Sequence, residues 1–533
     1  MTPRQRWTIV ATTIGSGIVF LDGTIVNVAL ARIGHDLPAT LVDVLEGQSY
    51  VVSGYLAVLA ALLILAGALS DHYGRRLVFA VGLAGFGVTS ILCGLAPTLE
   101  AMILFRLLQG AAGALLVPGS LSLITQAFEG EARGRAFGVW ASATSALTVL
   151  GPIVGGLLVD TVGWRAAFLL NGPFIVMALF ALRNVAESRD TEGPKSFDWL
   201  GAFVAVVAVG GLAFGIIRGQ QREWADPLAF VALALGAIAL VAFPILMATR
   251  PNPLVPLGLF RSRAFATVNL ATFFIYGALY VTFTYNALVL QGVLGYTALA
   301  AGAVGLPSGI LLTLLSTRIG TLAARYGARR FLVAGPFLMA VAYLWFARIP
   351  ATSAAWRASL SEPSSLVPPA DLFIDVLPAI LLAGIGISLV VAPLTSTLMG
   401  SIPSRNTGLG SAINNALSRV GQPLLGAVIF VAVSATFYNV LGTQVPGLDA
   451  SSSAVRQAFP PLNPPSGALG AQHAAAAKDA SIAAYHQAML VVSALLVVGG
   501  LVSWVGLRES AGPRRVRETA DGSASDPATS AAG

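Results

Sequence analysis

The sequence predicts an all-α polytopic membrane protein with fourteen transmembrane helices, arranged as two six-helix bundles with two extra helices between them. Three observations carry this. Hydrophobic residues make up 56% of the 533, charged residues only 10%, and mean hydropathy is +0.80, whereas soluble domains carry about 25% charged residues. Fourteen apolar runs of about 20 residues divide the chain, each long enough to cross the hydrocarbon core as a helix. Arginine and lysine then fall unequally on alternate sides of those runs.

The runs lie near 8–31, 50–69, 77–96, 101–124, 136–158, 166–183, 198–217, 228–247, 266–290, 298–317, 330–347, 373–398, 408–438 and 487–507. The first follows MTPRQRW directly and is too long for the core of a cleavable signal, about 7–15 residues, so it reads as a retained helix. With the N-terminus in the cytoplasm, the inner segments carry 21 Arg and Lys and the outer segments 8. That bias places both ends of the chain in the cytoplasm. The remaining cations, Arg106 and Arg419, lie inside runs. Residues 350–371 and 441–480 read as outer loops, and AAAAKDASIAAYHQ at the end of the second has the composition to extend the last helix outward. Residues 1–190 and 255–508 form the two bundles, 191–254 the linking pair, and 509–533 a disordered cytoplasmic tail.

A repeat supports the two-bundle reading. GALSDHYGRR (67–76) follows the second run and GTLAARYGARR (320–330) the tenth. Both read G-x-L-x-x-x-Y-G and then arginines, as parallel six-helix repeats require. In the first copy Gly67 and Gly74 permit a tight turn and close helix approach, and Asp71 with Arg75 and Arg76 suits a charge-paired conformational latch. The second copy has Ala324 where the first has Asp71, so only the N-terminal half has the charged latch.

Within the runs, charge is the informative signal. Asp22 interrupts GIVFLDGTIVNVAL, where a carboxylate costs about 2.5–3.5 kcal/mol on insertion scales. Arg106, Gln109, Gly110 and Gly113 follow i, i+3, i+4, i+7 and share one helix face. Asp22 sits roughly 14 Å below the outer end of its run and Arg106 roughly 9 Å below its own. A long arginine spans that difference, so the two are expected to pair. Snorkelling of Arg106 to the outer surface is the alternative.

Other features are less specific. GPIVGG offers Gly151 and Gly155 as a small-xxx-small face, with Gly156 beside it and Pro152 to kink the helix. Phe273, Tyr276, Tyr280 and Phe283 form an aromatic stripe one turn after Asn269, as pocket lining or as bundle core. Arg419 reads equally as a cavity cation or as a strut between helices.

Several classes are excluded. The net charge of +7 is scattered over short loops, which speaks against nucleic acid. Lys195 follows Pro and Lys478 follows Ala, so no Gly-Lys phosphate loop exists. His35, His72, His473 and His486 show no metal-ligand spacing, and a lone Cys93 permits no intrachain disulfide. No cofactor and no enzyme chemistry is expected. Energy then comes from an ion gradient or from a partner chain, and a buried acid is the group a proton gradient can act on: burial favours its neutral form and a nearby arginine its charged form.

The loop signature GALSDHYGRR resembles that of the major facilitator superfamily. LDGTIVNVAL (21–30), QGVLGYTALAAGAVGLP (291–307) and NNALSRVG (414–421) resemble segments of its fourteen-helix drug/proton antiporter branch, and SALTVLGPIVGGLL its so-called antiporter motif. Nearly the whole chain is covered. Ala31, Tyr50 and Gln422-Pro423 depart from the branch's usual residues. The resemblance implies a proton-driven multidrug exporter of the cell membrane, working as a monomer by alternating access and conferring antibiotic resistance. Asp22 and Arg106 would couple the proton. Asn27, Gln109, Asn269, Tyr276, Tyr280 and Arg419 would line a cavity for lipophilic or cationic molecules. A nutrient symporter or uniporter, and a receptor or scaffold for a cell-envelope complex, are the alternatives.

Overall fold

The computed structural model describes residues 1–38, 44–188, 196–221, 226–359, 362–403, 406–449, 452–465 and 467–508. The tail 509–533 and the predicted loop cations Arg189, Lys195, Arg222 and Arg405 lie outside this description, as do the side chains of Asn27, Pro152 and Gly156. Among the described residues every regular element is a helix, and no strand is present beyond an isolated bridge between Ser359 and Glu362.

The N-terminal half comprises α1 (Pro3–Asp36), α2 (Val44–Tyr73), α3 (Arg75–Gly94), α4 (Leu99–Ala114), α5 (Leu116–Ala127), α6 (Gly130–Thr161), α7 (Trp164–Leu169) and α8 (Asn171–Leu182). A capping box opens α1: Thr2 accepts from the Gln5 amide, Gln5 answers to the Thr2 amide, and Pro3 stands where no N–H is needed. The linking hairpin is α9 (Trp199–Gln221) and α10 (Pro227–Thr249). The C-terminal half holds α11 (Arg263–Leu288), α12 (Ala298–Val304), α13 (Leu306–Tyr326), α14 (Ala328–Phe346), α15 (Leu377–Gly400), α16 (Thr407–Gln444), α17 (Ser453–Ala458), α18 (Gly467–Gln472) and α19 (Ala474–Gly506).

Among the described residues, thirteen spans are long and apolar enough to cross a membrane. The run predicted at 136–158 falls inside α6, whose 32 residues reach about 48 Å. Three predicted runs are each divided in two: α4 from α5 at Leu115, α7 from α8 at Leu170, and α12 from α13 at Gly305. A proline follows each break, at Pro118, Pro173 and Pro307. Each lacks the N–H owed to the carbonyl four residues back and crowds it, which interrupts the ladder. The last helix begins at Ala474, so the outer extension expected from its alanines is present.

Within the first half α1 packs on α5, α6 and α8, and α2 on α4. In the second half α11 packs on α16 and α19, and α14 on α15 and α19. Two seams join the halves, α2 against α16 and α6 against α13, and α9 lies along α2 with its edge on α16. Glycine permits both seams. A Cβ on Gly67 would meet the Gly408 carbonyl at 2.5 Å, and one on Gly320 would meet the Gly134 carbonyl at 2.7 Å. Gly67 and Gly320 are the first residues of the two sequence repeats. The turn glycines match as well: Gly74 has φ +116° and Gly327 φ +90°, a region that strains any residue with a Cβ.

Candidate functional site

The charged residues in the first half make two clusters. In the first, α4 turns Arg106 inward, leaving it 1% exposed, and its Nη1 lies 2.5 Å from an oxygen of Asp22, itself 2% exposed. Snorkelling therefore does not occur. Arg106 also donates from Nε to the Val51 carbonyl (3.1 Å) and from Nη1 to Gln109 Oε1 (2.7 Å), and its guanidinium lies 4.0 Å from the centre of the Tyr55 ring. Gln109 donates its amide to Asp22 Oδ1 (3.2 Å). Asn171, at the start of α8, donates to the same oxygen (3.1 Å) and to Ser90 Oγ on α3 (2.9 Å). Helices α1, α2, α3, α4 and α8 thus meet at one carboxylate. Sequence reading selected Asp22 and Arg106 but missed Asn171, Ser90 and the Val51 carbonyl, which carry no charge and lie far apart in the chain. Gln109, expected in a cavity, serves this cluster instead, because the shared face with Arg106 points at Asp22.

The second cluster is at the α2 end of the first seam. Arg75 donates from Nε (3.1 Å) and Nη2 (2.9 Å) to Asp71 Oδ1. Across the seam, the Gly408 and Leu409 amides donate to the two Asp71 oxygens at 3.1 and 2.9 Å. A carboxylate facing the N-terminus of α16 is also favoured by the helix dipole. Ser122 and Thr407 hydrogen-bond beside it (2.8 Å). Glu187, which the sequence did not single out, accepts from the amides of Arg76 and Leu77 (both 3.0 Å) and so caps α3. Arg76 makes this contact through its backbone amide rather than its guanidinium.

The antiporter-motif glycines lie where α6 meets α1. A Cβ on Gly151 would overlap Thr24, and one on Gly155 would press on the Ile25 backbone at 3.2 Å. The expected small-residue face is thus the α1–α6 contact.

Between the halves lies a cavity of about 420 Å³, inside the range of small-molecule sites. Most of its wall comes from the second half. Tyr276, Tyr280, Phe283 and Arg419 line it, with Phe20, Trp140 and Thr144 from the first. Phe273, the remaining member of the aromatic stripe, does not. Asn269 stands behind the wall: it accepts from Asn414 Nδ2 at 3.2 Å, and the same nitrogen donates to Thr272 at 2.8 Å. Asp22, Arg106 and Gln109 are outside the lining. Among the described residues no cluster of metal-binding side chains occurs.

Comparisons with known proteins agree with this architecture. Residues 12–426 match the profile of the Major Facilitator Superfamily. The multidrug resistance protein Stp of Mycobacterium tuberculosis is 32% identical over 455 residues, covering 84% of this chain and 80% of that one. A tetracenomycin C resistance and export protein of Streptomyces glaucescens is 33% identical over 439 residues, covering 81% and 77%. The solved structure of the proton:xylose symporter XylE superposes with a TM-score of 0.60 at 13% identity, over 95% of this chain and 96% of that chain, a likeness of fold.

Proposed function

The chain belongs to the Major Facilitator Superfamily and is a transporter, and from that premise we propose that it exports small lipophilic molecules, antibiotics among them, in exchange for protons. Relatives named for drug resistance and export support the direction. The buried Asp22–Arg106 pair carries the coupling, since an ionisable pair this deep in a membrane bundle is a functional site by default. We place the Asp71 end of the bundle in the cytoplasm, by the excess of arginines there.

Coupling runs through α2 rather than through the cavity. Arg106 is attached to Asp22 and also to the Val51 carbonyl and Tyr55 ring, both on α2. About 30 Å further along, the same helix presents Asp71 to α16. A proton on Asp22 removes the charge that Arg106 answers. The grip of Arg106 on α2 then changes, and with it the α2–α16 seam. Opening this seam exposes the cavity to the cytoplasm, and loss of the proton restores the pair. The arrangement favours alternating occupancy without direct contact between proton site and substrate. Each proton moved across 100 mV supplies about 2.3 kcal/mol, enough for roughly 40- to 50-fold accumulation.

The test uses purified protein in proteoliposomes with an imposed pH gradient. Asp22→Asn, which inserts normally, abolishes gradient-driven uptake of a fluorescent drug into inverted vesicles. Undiminished uptake by that variant would rule out the assignment of Asp22.

A further inference from the structure

Among the described residues the cavity wall carries one charge. Arg419 of α16 lines it, half-buried, with its guanidinium 5.4 Å from the centre of the Tyr280 ring. Among the described residues none that lines the cavity is Asp or Glu, and no carboxylate pairs with Arg419. The contrast with the first half is sharp, because the deep cations there are matched, Arg106 by Asp22 and Arg75 by Asp71. An unmatched cation at this depth is costly, and the cost persists unless a ligand offsets it.

The rest of the wall is aliphatic and hydroxyl-bearing, with aromatic rings and amides set into it. Trp140, Tyr276 and Phe283 offer ring faces and edges. Asn286 accepts the Tyr485 hydroxyl at 2.6 Å, which leaves its amide N–H groups as its remaining polar offer. Donors therefore outweigh anionic acceptors around the one fixed charge.

We infer that the cavity selects flat aromatic molecules carrying a weakly acidic group, a carboxylate or an ionised phenol or enol, and that Arg419 reads that charge. The inference rests on the transporter reading of the same cavity and replaces the cationic part of the expected substrate range. A cationic drug would enter beside a fixed positive charge with no carboxylate among the described lining residues to receive it, and the Tyr280 ring, a face that attracts cations, already lies against Arg419. Guanidinium, by contrast, binds carboxylates and enolates through charge-assisted hydrogen bonds and stacks on aromatic planes.

The test is equilibrium binding to the full chain in phosphatidylcholine nanodiscs, corrected by empty discs. Three probes share one ring system: 1-pyrenebutanoate, 1-pyrenebutanol and 1-pyrenebutylammonium. The butanoate binds at least about tenfold more tightly than the ammonium, with the alcohol between. Arg419→Gln brings the butanoate within about twofold of the alcohol and leaves the alcohol unchanged, which also shows that the variant is folded. Equal or tighter binding of the ammonium overturns the inference, as does an undiminished butanoate preference in Arg419→Gln. Should that variant not fold, the ranking of the three probes by the unaltered protein still decides. Transport is read separately: a butanoate that binds in the expected order but is not moved by a pH gradient refutes export and leaves charge selection standing. Gradient-driven movement of the ammonium in preference to the butanoate does the reverse.

Discussion

The two halves share a repeat and divide the chemistry. Each has the glycine that lets its seam close, Gly67 against Gly408 and Gly320 against Gly134, and each has a turn glycine at positive φ, Gly74 and Gly327. Beyond that they part. The first half buries matched charges, Asp22 with Arg106 and Asp71 with Arg75. The second provides most of the cavity wall and, among the described residues lining it, an arginine that no carboxylate matches. At the second seam Ala324 stands where Asp71 stands in the first, and the polar contact is neutral, Ser142 with Thr317 at 3.3 Å. A duplicated scaffold thus keeps its packing glycines in both copies, while among the described residues its buried ion pairs lie in one.

The comparison breaks most readily at the buried charges. Arg106→Leu strands the Asp22 carboxylate and costs about 3–5 kcal/mol of stability, read as a large drop in melting temperature in detergent. Arg419→Leu strands no carboxylate and removes an unmatched cation, so stability is not lowered. Equal losses in the two variants would erase the distinction between matched and unmatched cations. The seams come next. Asp71→Ala removes the acceptor for two α16 amides and for Arg75, costs about 2 kcal/mol of seam closure and lowers transport about tenfold or more. The double variant Asp71→Ala/Ala324→Asp does not recover, because the carboxylate would lie at the wrong seam. Recovery would show that the two seams are interchangeable. Asn171→Ala takes one donor from Asp22 and lowers gradient-driven transport about tenfold, with pyrenebutanol affinity within twofold of the unaltered protein. A matching loss of affinity would place Asn171 at the substrate instead. The smallest effect is expected at Asn414→Ala, which frees Asn269 and Thr272 from a neutral amide bond and costs about 1 kcal/mol, measured by denaturation.

Legibility in the sequence followed the cost of each residue. Asp22 and Arg106 announced themselves because a membrane span tolerates few charges, and a difference in depth that a long arginine can span suggested their pairing. Asn171 and Ser90 gave no such signal: neutral polar residues are common in spans, and their partner lies on another helix. Gln109 was assigned to the right face but the wrong neighbour, because periodicity gives direction within a helix and not what stands opposite. Asn269 failed in the same way. The helix breaks near Leu115, Leu170 and Gly305 were written in the prolines that follow them, yet hydropathy alone runs through all three. Glu187 was invisible because its role, capping α3, depends on a chain return more than a hundred residues long.

The hairpin of α9 and α10 is clipped at both ends. At one end Asp198 accepts from the amides of Gly201 and Leu254 (2.9 and 3.1 Å). At the other Arg218 donates to Asp226 at 2.7 Å and also to the Tyr50 hydroxyl on α2. A linker fastened to itself in this way is cargo of the first half rather than a tether under tension. The two halves therefore need no continuous peptide to find each other. Made as separate polypeptides, 1–254 and 255–533, they are expected to assemble in one membrane and transport together, as a split protein reunited by its seams.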